Sequence, residues 1–345
     1  MLLNAADKAL WRLALPMIFS NITVPLLGLV DTAVIGHLDS PVYLGGVAVG
    51  ATATSFLFML LLFLRMSTTG LTAQAWGAKD PQRLARALVQ PLALALGAGV
   101  LIILLRLPLI DLALHIVGGS EAVLEQARRF LEIRWLSAPA SLANLVLLGW
   151  LLGVQYARAP VILLVVGNLL NIVLDLWLVM GLRMNVQGAA LATVTAEYAT
   201  LIIGLLMAKR VLTLRGVSLA MLKNAWRGDL RRLLALNRDI MLRSLLLQLC
   251  FGALTVFGAR LGSDIVAVNA VLMTMLTFTA YALDGFAYAV EAHSGQAYGA
   301  RDGSQLLEVW RAACRQSGMV ALAFALIYSL AGEYIIALLD RKSVV

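Results

Sequence analysis

Nine apolar runs of membrane-spanning length punctuate the chain, at about 9–35, 43–66, 87–105, 130–153, 160–182, 186–208, 240–260, 264–290 and 312–339. A helical span needs roughly 20 apolar residues. Inside a bilayer every backbone N–H and C=O must find a partner within the protein, which leaves helices or a closed barrel. Continuous runs of this length read as helices, so the predicted fold is all-α and membrane-embedded. Composition agrees: 13% of residues are charged, where a soluble domain carries about 25%. The first run follows Lys8 and Arg12, contains Pro16 and Pro25 and is too long for the core of a cleavable signal peptide, so it reads as the first span.

The formal net charge of +8 could suggest a nucleic-acid partner, but its placement argues for topology. With the N-terminus cytoplasmic, the cytoplasmic segments collect 18 of the 27 Lys and Arg, nine of them between Lys209 and Arg243. That is the positive-inside bias, and no nucleic-acid partner is expected. The 209–239 stretch reads as a basic cytoplasmic linker carrying a short amphipathic helix with Leu219, Leu222, Trp226, Leu230, Leu233 and Leu234 on its apolar face. Cys250 and Cys314 fall in or beside spans, so no disulfide framework is implied. There is no CxxC, no HExxH and no His cluster, hence no expectation of a metal or cofactor.

The chain repeats itself. Gln74-Ala-Trp-Gly-Ala-Lys-Asp80 returns 222 residues later as Gln296-Ala-Tyr-Gly-Ala-Arg-Asp302. An even number of spans separates the copies, so two halves enter the membrane in the same direction, as in transporters built from parallel repeats. Upstream the match weakens, and Asp31 stands opposite Leu254. Acid chemistry, if it drives this protein, belongs to the first half.

Ionisable residues inside spans are costly, by about 2.5–3.5 kcal/mol on insertion scales, and usually face a bundle interior or an aqueous cavity. Asp31 lies late in the first run between apolar neighbours. Asn168, Asn171 and Asp175 recur at i, i+3 and i+7, which places two amides and a carboxylate on one helix face. Polar groups there can also act as glue between helices, a reading that suits Asn168. On the sixth run Thr193, Thr195 and Glu197 follow Gly188-Ala-Ala; Glu197 can equally pair locally. Arg65 is a cation within the second run that either pairs with an acid across the bundle or snorkels to an interface. In the second half Asp284 and Glu291 share a face; Asp284, with Arg65 and Asn168, could line a cavity, whereas Glu291 lies near the cytoplasmic end and reads as structural, and His293 reads as interfacial. Pro16 removes one helix bond and kinks the span that carries Asp31.

The segments Leu15-Pro16-Met-Ile-Phe-Ser-Asn21, Leu29-Val-Asp31-Thr-Ala-Val-Ile-Gly36, Phe63-Leu-Arg65-Met-Ser-Thr-Thr-Gly70, Gly167-Asn-Leu-Leu-Asn171-Ile-Val-Leu-Asp175 and Leu283-Asp284-Gly-Phe-Ala287 together resemble the multidrug and toxic compound extrusion (MATE) transporters. Within that family they look most like the branch of the DNA-damage-inducible F (DinF) proteins. The resemblance implies twelve spans in two six-helix lobes around a central cavity, of which about nine are present here. It implies export of cationic or amphipathic compounds in exchange for inward H+ or Na+, from the inner membrane, by a monomer whose other partner is the lipid bilayer. Carried onto matching positions, the ion-coupling site falls on Asp31, Asn171, Asp175 and Thr193, which could also hold a transported Na+, and the bending proline on Pro16.

On this reading residues 1–208 form a complete first lobe, 240–339 the first three helices of the second, and 340–345 an atypical tail. From Gln74 to the end of the first half there are about 134 residues, but only 49 from Gln296 to Val345. The second half therefore reads as cut short. Two other functions stay open on the residues alone: a fragment that inserts but does not transport, and a lipid-precursor flippase of related fold. An enzyme is not expected, because no nucleophile constellation, metal box or paired Asp motif is present.

Overall fold

The computed structural model of the protein describes residues 3–228 and 230–340, with the side chains of residues 23–31, 263, 266, 267, 336 and 338–340 outside that description. Regular structure among the described residues is entirely helical. The helices are α1 (Ala5–Gly36), α2 (Pro41–Leu60), α3 (Phe63–Gly77), α4 (Pro81–Leu104), α5 (Arg106–Val117), α6 (Glu121–Arg134), α7 (Ala138–Gly153) and α8 (Arg158–Asp175). They are followed by α9 (Asn185–Leu214), α10 (Leu219–Asn224), α11 (Leu230–Leu261), α12 (Ser263–Gly299) and α13 (Gly303–Asp340). A 3-10 turn at Trp135–Ser137 joins α6 to α7, and a π segment at Leu176–Gly181 extends α8. Among the described residues eight helical stretches are long and apolar enough to cross a membrane, the first being Pro41–Gly77. The 32-residue α1 occupies the run read as the first span.

Helix starts follow the local chemistry. Asn4 and Asp7 form a reciprocal capping box at α1. Ser40-Pro41 and Asp80-Pro81 open α2 and α4 with a side-chain cap followed by a proline whose missing N–H is harmless at that position. Two features depart from the sequence reading. The second span is broken at Leu61-Leu62, between α2 and α3. The linker does not form one amphipathic helix: α10 ends at Asn224, and Leu230, Leu233 and Leu234 belong to α11. The break is made by Gly228, at φ 157°, a conformation L side chains rarely adopt. It is fixed by Arg86, whose Nε donates to the Arg227 carbonyl at 3.1 Å.

Within the first half, helices close on one another through small residues. On α7, Gly149 and Gly153 face α3: a methyl on Gly149 would lie 2.5 Å from the Arg65 carbonyl oxygen, and one on Gly153 2.6 Å from Thr72 Cβ. On α2, Gly46 and Gly50 receive Gln126 and Phe130 of α6 in the same way. Small-xxx-small spacing lets backbones approach where lipid supplies no hydrophobic drive. Threonines inside these contacts bond their own helix, Thr68 to the Leu64 carbonyl at 2.6 Å and Thr69 to that of Arg65 at 2.9 Å. Trp150 and Trp135 are buried in separate clusters, their indole N–H groups donating to the Leu84 carbonyl and to Thr54 Oγ1.

The halves meet along α1, α3 and α12. Trp11 stands edge-on to Phe286 with centroids 4.8 Å apart and donates to Gln316 of α13 at 3.0 Å. The two copies of the repeated motif pack directly on each other. A Cβ on Gly77 would fall 1.9 Å from the Gln296 carbonyl oxygen, and one on Gly299 2.0 Å from that of Gln74. Each copy ends its helix alike, with Lys79 and Arg301 at φ 53° and 54°. Asp80 then caps α4 and Asp302 caps α13.

Candidate ion-coupling site and interior charges

On α8 the buried face carries Leu163, Asn171, Asp175 and, across the junction, Leu178 and Val179, while Val165, Val166, Leu169 and Val173 point away from protein. Asn171 is 5% and Asp175 1% exposed. The Asn171 amide and the Thr193 hydroxyl of α9 lie 3.3–3.5 Å apart, and Thr193 also donates to its own helix at the Ala189 carbonyl, 3.2 Å away. Asn168, one turn before Asn171, is half-buried and engaged.

Asp175 is the last α-helical residue before the chain widens into the π segment. There Leu182 N–H reaches back to the Trp177 carbonyl at 2.9 Å. π-bulges are rare and concentrate at functional sites because they re-aim side chains and loosen the backbone ladder. The sequence carried no period that announced it. α1 crosses against α8, and Asp31 sits in α1, but its side chain lies outside the described residues. Pro16 lies inside α1, and Ser20 Oγ donates to its carbonyl at 2.8 Å.

Arg65 resolves in favour of pairing. Only 3% exposed, it lies 3.3 Å from the Glu291 carboxylate of α12 and places its guanidinium 4.1 Å from the Tyr288 ring centroid. Asp284, two turns before Glu291, is exposed yet within Coulombic reach of the same guanidinium. Arg65 of α3 thus supplies a cation to the acids of α12, with Arg243 of α11 also within Coulombic reach of Glu291.

Glu197 has a structural explanation. It accepts from Arg134 at 3.1 Å and from Ser141, while Asn144 donates to its backbone carbonyl at 3.1 Å, so it ties α9 to α6 and α7. His293 contacts the Ala9 carbonyl of α1 at 3.1 Å and belongs to the α1–α12 seam. Further ion pairs join Asp7 of α1 to Arg315 of α13, Arg134 of α6 to Glu197 of α9, and Arg128 of α6 to Asp111 of α5. Trp76, where the repeat substitutes Tyr298, stacks under the Arg215 guanidinium at 3.8 Å. No sequence feature tied those two residues together.

The family model described as MatE matches residues 16–177 and 240–345. Over 337 residues the chain is 88% identical to DNA damage-inducible protein F of Escherichia coli (strain K12), covering 98% of this chain and 73% of that protein. A solved MATE structure in the bent conformation superposes with a TM-score of 0.85 at 26% identity, covering 97% of this chain and 75% of that one. The outward-facing conformation of a multidrug resistance MATE family transporter of the MOP superfamily gives 0.81 at 26%, covering 97% and 74%.

Proposed function

Because the chain belongs to the MatE family of transporters and is a multi-pass membrane protein, not an enzyme, we propose that it exports cationic or amphipathic compounds in exchange for inward H+ or Na+. The supporting observation is the buried face of α8, where Asn171 is bonded to Thr193 and Asp175 stands one turn on at the entry to the π segment. Two oxygen-bearing neutral groups beside a carboxylate suit either a shared proton or a desolvated Na+.

Coupling follows from charge. Protonating Asp31 or Asp175, or seating Na+ among Asp31, Asn171, Asp175 and Thr193, removes negative charge from the first lobe. A cationic substrate held by that charge then loses affinity, so ion and substrate compete through one electrostatic term. Pro16 removes the bond to the Arg12 carbonyl and gives α1 a place to bend, which would swing the turn bearing Asp31. Chemistry of this kind needs only the coupling ion, with no cofactor. The basic excess on one side supports an N-terminus in the cytoplasm, the likeness to the Escherichia coli protein supports placement in the bacterial inner membrane, and a monomer is taken as the transporting unit.

Efflux of a fluorescent organic cation from bacterial cells producing this chain tests the reading. Efflux that is abolished in Asp31→Asn and Asp175→Asn, while both variants still reach the membrane, is the expected result. Undiminished efflux in both would sink the coupling assignment. Absence of efflux with the unaltered chain would instead favour a protein that inserts but does not transport.

A further inference from the structure

Between the two packed copies of the repeated motif and the start of α11 lies a cavity of about 510 Å³. Its charged lining is Arg83 of α4, Arg232 of α11, Arg301 and Asp302, with Gln74 closing one wall. A smaller adjoining space shares Arg83 and Arg232 and adds Arg86. Arg83 comes from the first half and Arg232 and Arg301 from the second, so the site exists only where the halves meet.

Among the described residues Asp302 forms no ion pair with Arg83 or Arg301. Asp302 accepts from Gln305 N–H at 3.1 Å and from Ser304 Oγ at 3.0 Å and is committed to capping α13. Arg232 donates to Gln74 Oε1 at 2.9 Å. The guanidinium of Arg83, half-buried, makes no hydrogen bond or ion pair among the described residues. Gly303 and Leu306 bring the first turn of the 38-residue α13 to the same wall.

We propose that this cavity binds a phosphate group, supplied by an anionic phospholipid headgroup or by a soluble phosphate, with Arg83 and Arg301 as its principal donors. Guanidinium forks match phosphate oxygens in bidentate geometry, and basic pockets between membrane helices take anionic headgroups on the cytoplasmic side. Bound there, the anion relieves the repulsion that arises when the halves bring their arginines together. It therefore favours the arrangement in which Gly77 packs on Gln296 and Gly299 on Gln74. The reading is independent of substrate export, and its test does not depend on transport.

The detergent-solubilised full chain is titrated with inorganic phosphate at constant ionic strength, with chloride as the comparison. In parallel it is placed in nanodiscs of phosphatidylcholine alone or with phosphatidylglycerol, and the unfolding midpoint is followed by tryptophan fluorescence. A saturable rise with phosphate, with phosphatidylglycerol or with both is expected, and which arm responds identifies the source. Arg83→Gln and Arg301→Gln should each weaken the response roughly tenfold, the loss of one charge-assisted bond. Lys209→Gln, an equal change of net charge elsewhere on the same side, should leave it intact. Arg83→Lys keeps the charge without the fork, and its weakened response stands in should Arg83→Gln fail to fold. No response in either arm, or equal loss with Lys209→Gln, overturns the proposal.

Discussion

Arg65 of α3 and Glu291 of α12 meet at 3.3 Å inside the bundle, joining the two halves of a repeat through residues that are not repeat-related. The side chains are 4% and 27% exposed, and the guanidinium also covers the Tyr288 ring. Removing one partner from such a pair strands a desolvated charge, at a penalty of about 3 kcal/mol. Glu291→Gln and Arg65→Met should each destabilise the protein on that scale, while Arg65→Met combined with Glu291→Leu should recover most of the loss. A double-mutant cycle on unfolding midpoints measures the coupling, and additive single effects would show that the pair contributes nothing.

The reciprocal glycine contact makes a second prediction. Gly77→Ala or Gly299→Ala drives a methyl into backbone at 1.9 or 2.0 Å, so the halves must move apart. Each should lower stability by about 1–3 kcal/mol, the range for overpacking. Gly97→Ala, with nothing within 4 Å, should instead raise it by roughly 0.5–1 kcal/mol, as for any open helical glycine. Thermal unfolding of the three variants compares them directly.

Thr193 separates stability from coupling. Its hydroxyl bonds Asn171 across α8 and α9, and bonds of this kind average about 0.6 kcal/mol in membrane bundles. Thr193→Val should therefore unfold close to the unaltered protein yet lose ion-dependent efflux, and Thr193→Ser should retain it. A variant that loses both equally would reduce Thr193 to a packing residue.

Asp7 predicts an acid limb. Burial pushes its carboxyl up, but the Arg315 hydrogen bond, the Asn4 backbone N–H and the Arg315 charge more than offset this and hold it below the usual carboxylate range. A depressed folded value means the stabilisation is present above the ordinary carboxylate pKa and is lost as pH falls through the folded one. Asp7→Asn should thus be less stable than the unaltered chain at neutral pH, with the difference vanishing in acid. Chemical unfolding from neutral pH down to about pH 3 gives the two curves.

The face of α8 was legible in the sequence because a 3.6-residue period projects Asn168, Asn171 and Asp175 to one side whatever surrounds them. The repeated motif was legible for the same local reason: its termination signal and cap are written within seven residues. Other features lacked such a signature. A 12-residue helix at α5 is too short to register as a span, and Pro108 in its first turn reads as a break. The interruption at Leu61-Leu62 falls between leucines that any hydropathy scale treats as continuous helix.

Hydrophobicity and helical period are sums over neighbouring residues, and they sufficed to set an all-helical membrane fold and the polar face of α8. Pairing is decided across distances the chain does not encode locally. Arg65 could have snorkelled and Glu197 could have served a cavity. Packing instead gave Arg65 to Glu291, 226 residues away, and Glu197 to Arg134, 63 away. Each buried charge takes the partner that the closed bundle brings within reach. The cavity of Arg83, Arg232 and Arg301 arises in the same way, because only the approach of the two motifs places those cations together.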